Sequence, residues 1–478
     1  MRNETPIYLF LLGVFLIIIS PSLLTHGMFM DGMIYATVAK NMADGLGTFW
    51  QPYFTATCYP EFFEHPPLAM GIQSILYRVF GDSFLIEKLY SFSTWLLVAV
   101  GMVQIWKHFQ LKNAWLPIFI LLTVSRIIWA STNNGLENTL AVLLIFALLF
   151  YLKSLKNQRY LMLSGVFVAA AFLTKGPFGL FIWGLPFFYE SIVERKNIFV
   201  ALLSSVKLIF WSVLPLVLLY SSSDSAWNNL TNYYEVQVLD SIKNIETVES
   251  RWFIVRYLLA ELILPLSIVA IVLWIVWKKW RQLLPDTRHK RLALTFLVCA
   301  LGGVLPIMIS MKQSGFYILP TFPIFALGLA FLIEKSVATW MKNANLITES
   351  KNFFTYPGIS ALLVGIALNL TAYGGFDRDE DKLQDMHRIV AKLQEEIAKT
   401  PEIGAIQVLG VSEELWNNWS IQAYFQRYYG IALDPNDIQE HAYILVEDGR
   451  VPDDVGFAIE RITSNTQRYH LFKNIFAE

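Results

Sequence analysis

"FIVRYLLAELILPLSIVAIVLWIVWKKWR", residues 253–281, is an apolar run that ends abruptly on cations. Between 253 and 277 only Arg256 and Glu261 carry charge, and the run exceeds the roughly 20 residues needed to cross a bilayer. Lys278, Lys279 and Arg281 follow at once. Basic residues crowded at one end of a span mark its cytoplasmic side, because cations are retained there during insertion. The stretch therefore reads as a membrane helix with a direction.

The same pattern recurs on both sides of it. Apolar stretches long enough to span are expected near 7–24, 86–106, 114–131, 138–152, 160–174, 177–193, 198–220, 292–310, 316–333 and 353–373. With 253–277 they make about eleven helices. Composition agrees: 55% of the 478 residues are hydrophobic and 16% charged, against about 25% charged in soluble domains. A net charge of −1 gives no reason to expect nucleic acid as a partner. Cys58 and Cys299 lie far apart and read as isolated thiols. Residues 7–24 are read as an uncleaved first helix, since the run is long for a signal peptide and no A-x-A-like site follows.

The loops sort by charge. One set carries Lys107 and Lys112, Lys153 and Lys156, Arg195 and Lys196, Arg288, Lys290, Arg291 and Lys335. The alternate set is poor in cations: residues 25–85, 132–137, 174–176, 222–252 and 311–315. Placing the basic set inside puts the N-terminus in the cytoplasm and everything after Tyr373 outside. Two outside loops are long and acidic. The first holds Asp31, Asp44, Glu61, Glu64 and an amphipathic stretch, 68–80; the second holds Asp224, Glu235, Asp240, Glu246 and Glu249.

From about residue 376 the composition changes. "DRDEDKLQDMHRIVAKLQEEIAK" has an amphipathic helical pattern, and "AIQVLG" and "AYILVE" read as short buried strands. "EELWNNWSIQAYFQRYY" is a helix between them. The expected organisation is a polytopic α-helical membrane domain, 1–375, and a small soluble α/β domain, 376–478.

The outside loops collect residues able to do chemistry. Asp31 begins a helical pattern just past the first span, where an aspartate also serves as an N-cap. "YPEFFEHPPLAMGIQ" places Glu64 and His65 before Pro66-Pro67; a carboxylate and prolines suit a helix start, which leaves His65 unexplained. Glu137 stands at the mouth of one span, and Lys175 and Lys312 each sit between spans on the same side, with Tyr317 just after Lys312. Lysines that only snorkel favour the cytoplasmic side instead. A carboxylate base and cations that neutralise a departing phosphate are what a transfer from a phosphorylated carrier needs. Glu64, Glu137 and His65 are also the residue types that hold a divalent metal ion, so such an ion is a candidate cofactor.

Taken in order, the aspartate after the first helix, the acid-x-Pro-Pro motif, the lone acid, "TKGP" and "K…YILP.FP" resemble the GT-C glycosyltransferases. The nearest branches are the lipid A aminoarabinose transferases and the protein O-mannosyltransferases, and the likeness covers roughly residues 1–375. It implies a cell-membrane enzyme that moves a sugar from a polyprenyl-phosphate donor to a lipid, glycan or protein acceptor on the outer face, with inversion. Asp31 matches the catalytic first-loop aspartate, and Glu64 and Glu137 match acids that bind metal or shape the pocket. Lys175, Lys312 and Tyr317 match positions near the carrier phosphate. The chain departs from the aminoarabinose branch at His65, where that branch has lysine, and in Asp31-Gly32-Met33-Ile34-Tyr35, which lacks its arginine. A transporter or flippase for a lipid-linked sugar is the alternative; the absence of repeated halves and the position of the charges at helix mouths weigh against it.

Overall fold

A computed structural model describes residues 4–239, 245–343, 350–399, 407–448, 459–463 and 465–475. Asp240 and residues 405–406 of the expected first strand lie outside them. The chain divides into two compact units. One comprises Met1–Leu24, Phe63–Ala69 and Lys88–Tyr373; the other comprises Thr25–Phe62, Met70–Glu87 and Gly374–Glu478. A single cut at 375 thus separates less than the second unit contains, since two parts of the first long loop group with the C-terminal residues.

Among the described residues, nine segments are long and apolar enough to cross a membrane. Two differences separate this from the eleven expected. The stretch 114–131 is two short helices, Leu116–Leu122 and Ser125–Ala130, broken where Val124 takes an extended conformation. Glu261, one of the two charges in the opening span, accounts for the break. Its Oε2 accepts from the Ser125 hydroxyl at 2.7 Å and the Arg126 backbone N–H at 3.0 Å, holding the start of the second piece. The expected pair 160–174 and 177–193 falls within one continuous helical segment, Arg159–Val193, whose two arms are joined by a reversal at Gly176. Gly179, just after the turn, lies so close to Ala171 that a Cβ would sit 2.8 Å from the Ala171 methyl.

Within the first unit, Leu136–Ser154 and Gly315–Met341 are the most buried spans, and Ile198–Ser222 and Phe354–Ala372 the most exposed. The first and last spans pack against each other through glycines. A Cβ on Gly13 would lie 2.4 Å from the Leu362 nitrogen, and one on Gly365 2.8 Å from the Leu16 Cβ. Small residues let membrane helices approach this closely, where dispersion and not water exclusion drives association. Cys58 and Cys299 are both buried thiols outside any disulfide among the described residues.

The second unit contains a five-stranded sheet. Its strands are β1 (Val408–Val411), β2 (Ala432–Asp434), β3 (Tyr443–Glu447), β4 (Ile459–Arg461) and β5 (Tyr469–Asn474), in spatial order β2-β1-β3-β5-β4. β1 pairs parallel with β2 and β3, while β5 is antiparallel to β3 and β4. The amphipathic pattern beginning near 376 forms the helix Glu380–Lys399. Its buried Asp385 accepts from the backbone N–H groups of Gln467, Arg468 and Tyr469, at 2.7–3.1 Å, and so pins the helix to the start of β5. The expected helix after β1 is two pieces, Glu413–Trp416 and Trp419–Tyr429.

Arg427 closes this unit. Its guanidinium donates to Asp82 at 2.7 Å, to the Ser83 carbonyl at 3.1 Å and to Glu87 at 3.2 Å. Glu87, fully buried, also accepts from the Tyr77 hydroxyl at 2.6 Å. A buried carboxylate needs such partners, because leaving it without them costs several kcal/mol, on the order of 3–5.

Candidate functional site

The "TKGP" turn is built around one glycine. Lys175 ends the helix Arg159–Lys175, and Gly176 follows at φ +58°, a conformation that side chains with a Cβ rarely adopt. The Tyr233 ring fills the space beside it, so a Cβ would lie 2.2 Å from the Tyr233 hydroxyl oxygen. That hydroxyl donates to the Lys175 carbonyl at 3.5 Å.

This turn sends the Lys175 side chain inward. Its ammonium donates to the Glu137 carboxylate in the first turn of Leu136–Ser154, and the two residues are 3% and 2% exposed. Three aromatic rings complete the surroundings. The Lys175 Nζ lies 4.9 Å from the centre of the Tyr317 ring, 5.5 Å from Phe316 and 5.7 Å from Phe178. Ring faces attract cations, and more strongly where water is excluded.

Lys312 is held differently. It lies in a non-helical link between two 3₁₀ segments, and the neighbouring Gln313 fixes that link. The Gln313 amide donates to the Arg251 carbonyl at 3.1 Å and the Ser310 carbonyl at 2.9 Å, and accepts from the Ile254 N–H at 3.0 Å. Thr247 exchanges hydrogen bonds with the Gln313 backbone at 2.9 and 3.0 Å. On this support the Lys312 ammonium donates to the Gln237 carbonyl oxygen at 3.4 Å, and the Gln237 NH₂ donates to Glu64 at 3.4 Å. Gln237 thus relays between the cation and the acid.

Lys175, Lys312, Tyr317, His65, Tyr233 and Gln237 line one cavity of about 460 Å³ within the first unit, and apolar side chains form most of its wall. His65 faces Tyr233 with ring centres 6.3 Å apart. Burial, then the positive charges of Lys175 and Lys312, hold its pKa well below the usual histidine value. Burial raises the Tyr233 hydroxyl above the ordinary tyrosine range. Both groups therefore remain neutral hydrogen-bonding partners at physiological pH.

Six of the seven residues singled out in the sequence, Glu64, His65, Glu137, Lys175, Lys312 and Tyr317, belong to this unit. Glu137 sits behind Lys175 as its partner, and Glu64 reaches the cavity through Gln237. Asp31 belongs to the second unit. It is the second residue of the helix Met30–Ala43, whose N-cap is Phe29, so it is a first-turn carboxylate and not the cap. Among the described residues, no three His, Cys, Asp or Glu side chains gather closely enough to hold a metal ion. The set Glu64, His65 and Glu137 does not fit one, since Glu137 is committed to Lys175. Tyr233 and Gln237 were missed in the sequence because the second outside loop was read for its charges, and neither residue carries one.

Residues 64–220, about a third of the chain, match the family model described as dolichyl-phosphate-mannose-protein mannosyltransferase. No curated protein matches the chain. Among solved structures, ArnT from Cupriavidus metallidurans bound to undecaprenyl phosphate aligns at a TM-score of 0.66 and 14% identity, covering 99% of each chain. The same protein in the apo state aligns at 0.66 and 16% identity, covering 98% of each. The chain has this fold: a polytopic helical membrane part and a small α/β part. The resemblance to GT-C glycosyltransferases read from the motifs agrees with the family match and with the fold.

Proposed function

We propose that the chain is an integral-membrane glycosyltransferase that takes a sugar from a polyprenyl-phosphate carrier and passes it to a lipid, glycan or protein acceptor on the outer face of the membrane. The observation that supports this best is the cavity in the first unit. Two lysines from separate segments, Lys175 and Lys312, meet two tyrosines there inside apolar walls. An amphiphile with an anionic head and a hydrocarbon tail suits such a lining. ArnT, whose fold the chain shares, was solved with undecaprenyl phosphate.

The chemistry follows from charge development. The acceptor hydroxyl attacks the anomeric carbon from the face opposite the phosphate, so the configuration inverts. The bond between that carbon and the phosphate oxygen breaks, and polyprenyl phosphate leaves with one more negative charge. Lys312 and Lys175 offset this charge in a low-dielectric site, where preorganised cations act most strongly. The Glu137 carboxylate holds the Lys175 ammonium aimed before the donor arrives, and the ring faces of Tyr317 and Phe316 limit its movement. His65 donates a neutral hydrogen bond to the phosphate or sugar oxygens, and the Tyr233 hydroxyl oxygen accepts from a sugar hydroxyl. Asp31 accepts the acceptor's proton as general base.

The outer-face assignment rests on the alternation of basic and acidic loops. Incubating membranes with a series of labelled polyprenyl-phosphate sugars tests the reading. Label should move from one carrier into a new covalent product. Label that crosses the membrane still attached to its carrier would instead identify a flippase.

A further inference from the structure

The second unit has a polar cavity of its own, about 450 Å³, a size common for small-ligand sites. It is lined by Lys40, Asn41 and Asp44 from the helix Met30–Ala43 and its end, by Tyr53 and Asp82, and by Gln426 from the helix Trp419–Tyr429. We propose that it binds a neutral saccharide, independently of the carrier site in the first unit.

Two amides carry the argument. Asn41 and Gln426 are 3% and 6% exposed, so each is withdrawn from bulk solvent. The Asn41 NH₂ donates to the Tyr53 carbonyl at 3.1 Å and the Phe54 carbonyl at 2.8 Å, but its Oδ1 accepts nothing from the described residues. The Gln426 side-chain amide has no hydrogen-bond partner among the described residues, although the residue lines the cavity. Neither amide is among the fully enclosed polar atoms that lack a partner, so their open groups reach the cavity, where water or a ligand can meet them. Open donors and acceptors facing a cavity imply a ligand that both donates and accepts.

The charges narrow the class. Lys40 pairs with Asp44 and lies 3.4 Å from Asp82, which also accepts from Arg427 at 2.7 Å. Two cations thus meet two carboxylates at the wall, and the cavity offers no net attraction to a phosphate or to a metal ion. Carboxylates whose remaining lone pairs face a cavity accept from hydroxyl groups, and an amide returns a hydrogen bond to the same hydroxyl. Tyr53 and Tyr429 add ring surface for the C–H face of a pyranose. Hydroxyl-dense, uncharged and partly apolar describes a neutral sugar.

The test uses the full-length protein in detergent, fluorescently labelled, on a printed array. The array bears neutral oligosaccharides, uronate- and phosphate-bearing oligosaccharides, and short peptides. Retention on neutral oligosaccharides is expected, competed by the same free sugar. Gln426→Leu, which keeps the volume and removes the amide, should weaken binding roughly two- to tenfold. Asp44→Ala, at a half-exposed helix end where little can collapse, should do likewise. Both variants should use a polyprenyl-phosphate donor with unchanged KM, which separates failure here from failure of the transferase reading. Retention only on anionic glycans or only on peptides would overturn the proposal. So would no retention at all, or parental binding by both variants.

Discussion

Lys175 and Glu137 stand 38 residues apart in the chain, yet the lysine ammonium donates to the glutamate carboxylate in a site closed to solvent on both sides. Neither residue can be altered alone without leaving a buried charge uncompensated, which costs about 3–5 kcal/mol. Lys175→Met and Glu137→Gln should each lower the unfolding temperature in detergent markedly. The combined Glu137→Gln/Lys175→Met protein should recover most of that loss. Stability of the double variant no better than either single would show that the pair is not coupled. The recovered double variant is also the fair test of Lys175 in donor binding.

Lys312 is only partly buried, and its ammonium donates to the neutral Gln237. Lys312→Met should leave protein level and stability near those of the parent. A charge-assisted hydrogen bond to phosphate contributes about 1.5–3 kcal/mol, so half-saturation by a labelled carrier should need roughly ten- to a hundredfold more donor. Unchanged donor saturation would remove Lys312 from the phosphate site.

Asp31 offers a clean separation of roles. As a first-turn carboxylate it favours its helix through the dipole by only about 0.3–1 kcal/mol. Asp31→Asn should therefore fold normally while losing at least about a hundredfold in turnover, because the general base is gone. Near-parental turnover would leave it a structural residue.

His65 predicts a pH dependence. Its folded pKa lies well below 6.5, depressed by burial and then by Lys175 and Lys312. The unfolded chain takes up that proton near pH 6.5 while the folded chain resists it. Stability is thus full above this pH and falls as the pH drops through it. Between pH 7.5 and 5.5 the parent's unfolding temperature should fall more than that of His65→Gln, which cannot titrate there. Parallel pH profiles for the two proteins would contradict the assignment.

Metal is the fifth point. With Glu137 committed to Lys175 and Glu64 bonded to Gln237, chelation should leave transfer activity unchanged, and elemental analysis should find no stoichiometric divalent ion. Loss of activity with EDTA, restored by one added metal, would require a ligand set other than Glu64, His65 and Glu137.

Much of this was readable along the chain, and what escaped has a common cause. The amphipathic stretch 68–80 is the helix Leu68–Phe80, and the spans appear where continuous apolar runs satisfy the length of a bilayer. Lys175, Lys312 and Tyr317 stood out because charge or position at a helix mouth is a local signal. The break at Val124 did not, since it depends on Glu261, which is more than a hundred residues away in sequence and caps the next helix piece. Tyr233 and Gln237 are ordinary residues made important by a glycine turn and an amide bridge, neither of which leaves a periodic trace. The pairing of Glu137 with Lys175 was likewise invisible, although both residues were chosen. Sequence marks which side chains are unusual; only the folded chain decides which of them neutralise one another.

The bond between Arg427 and Glu87 joins residues 340 positions apart, and it sets an order of assembly. A ribosome releases Glu87 long before Arg427 exists, and in between it must deliver most of the membrane spans. For that interval Tyr77, Asp82 and Glu87 are finished polypeptide without their closing partner. The first long loop can reach its final shape only after synthesis is almost over. Deleting the C-terminal hundred residues would then do more than remove a module: it would strand an early loop in its nascent condition. Such truncated chains should be preferred substrates for membrane quality-control proteases.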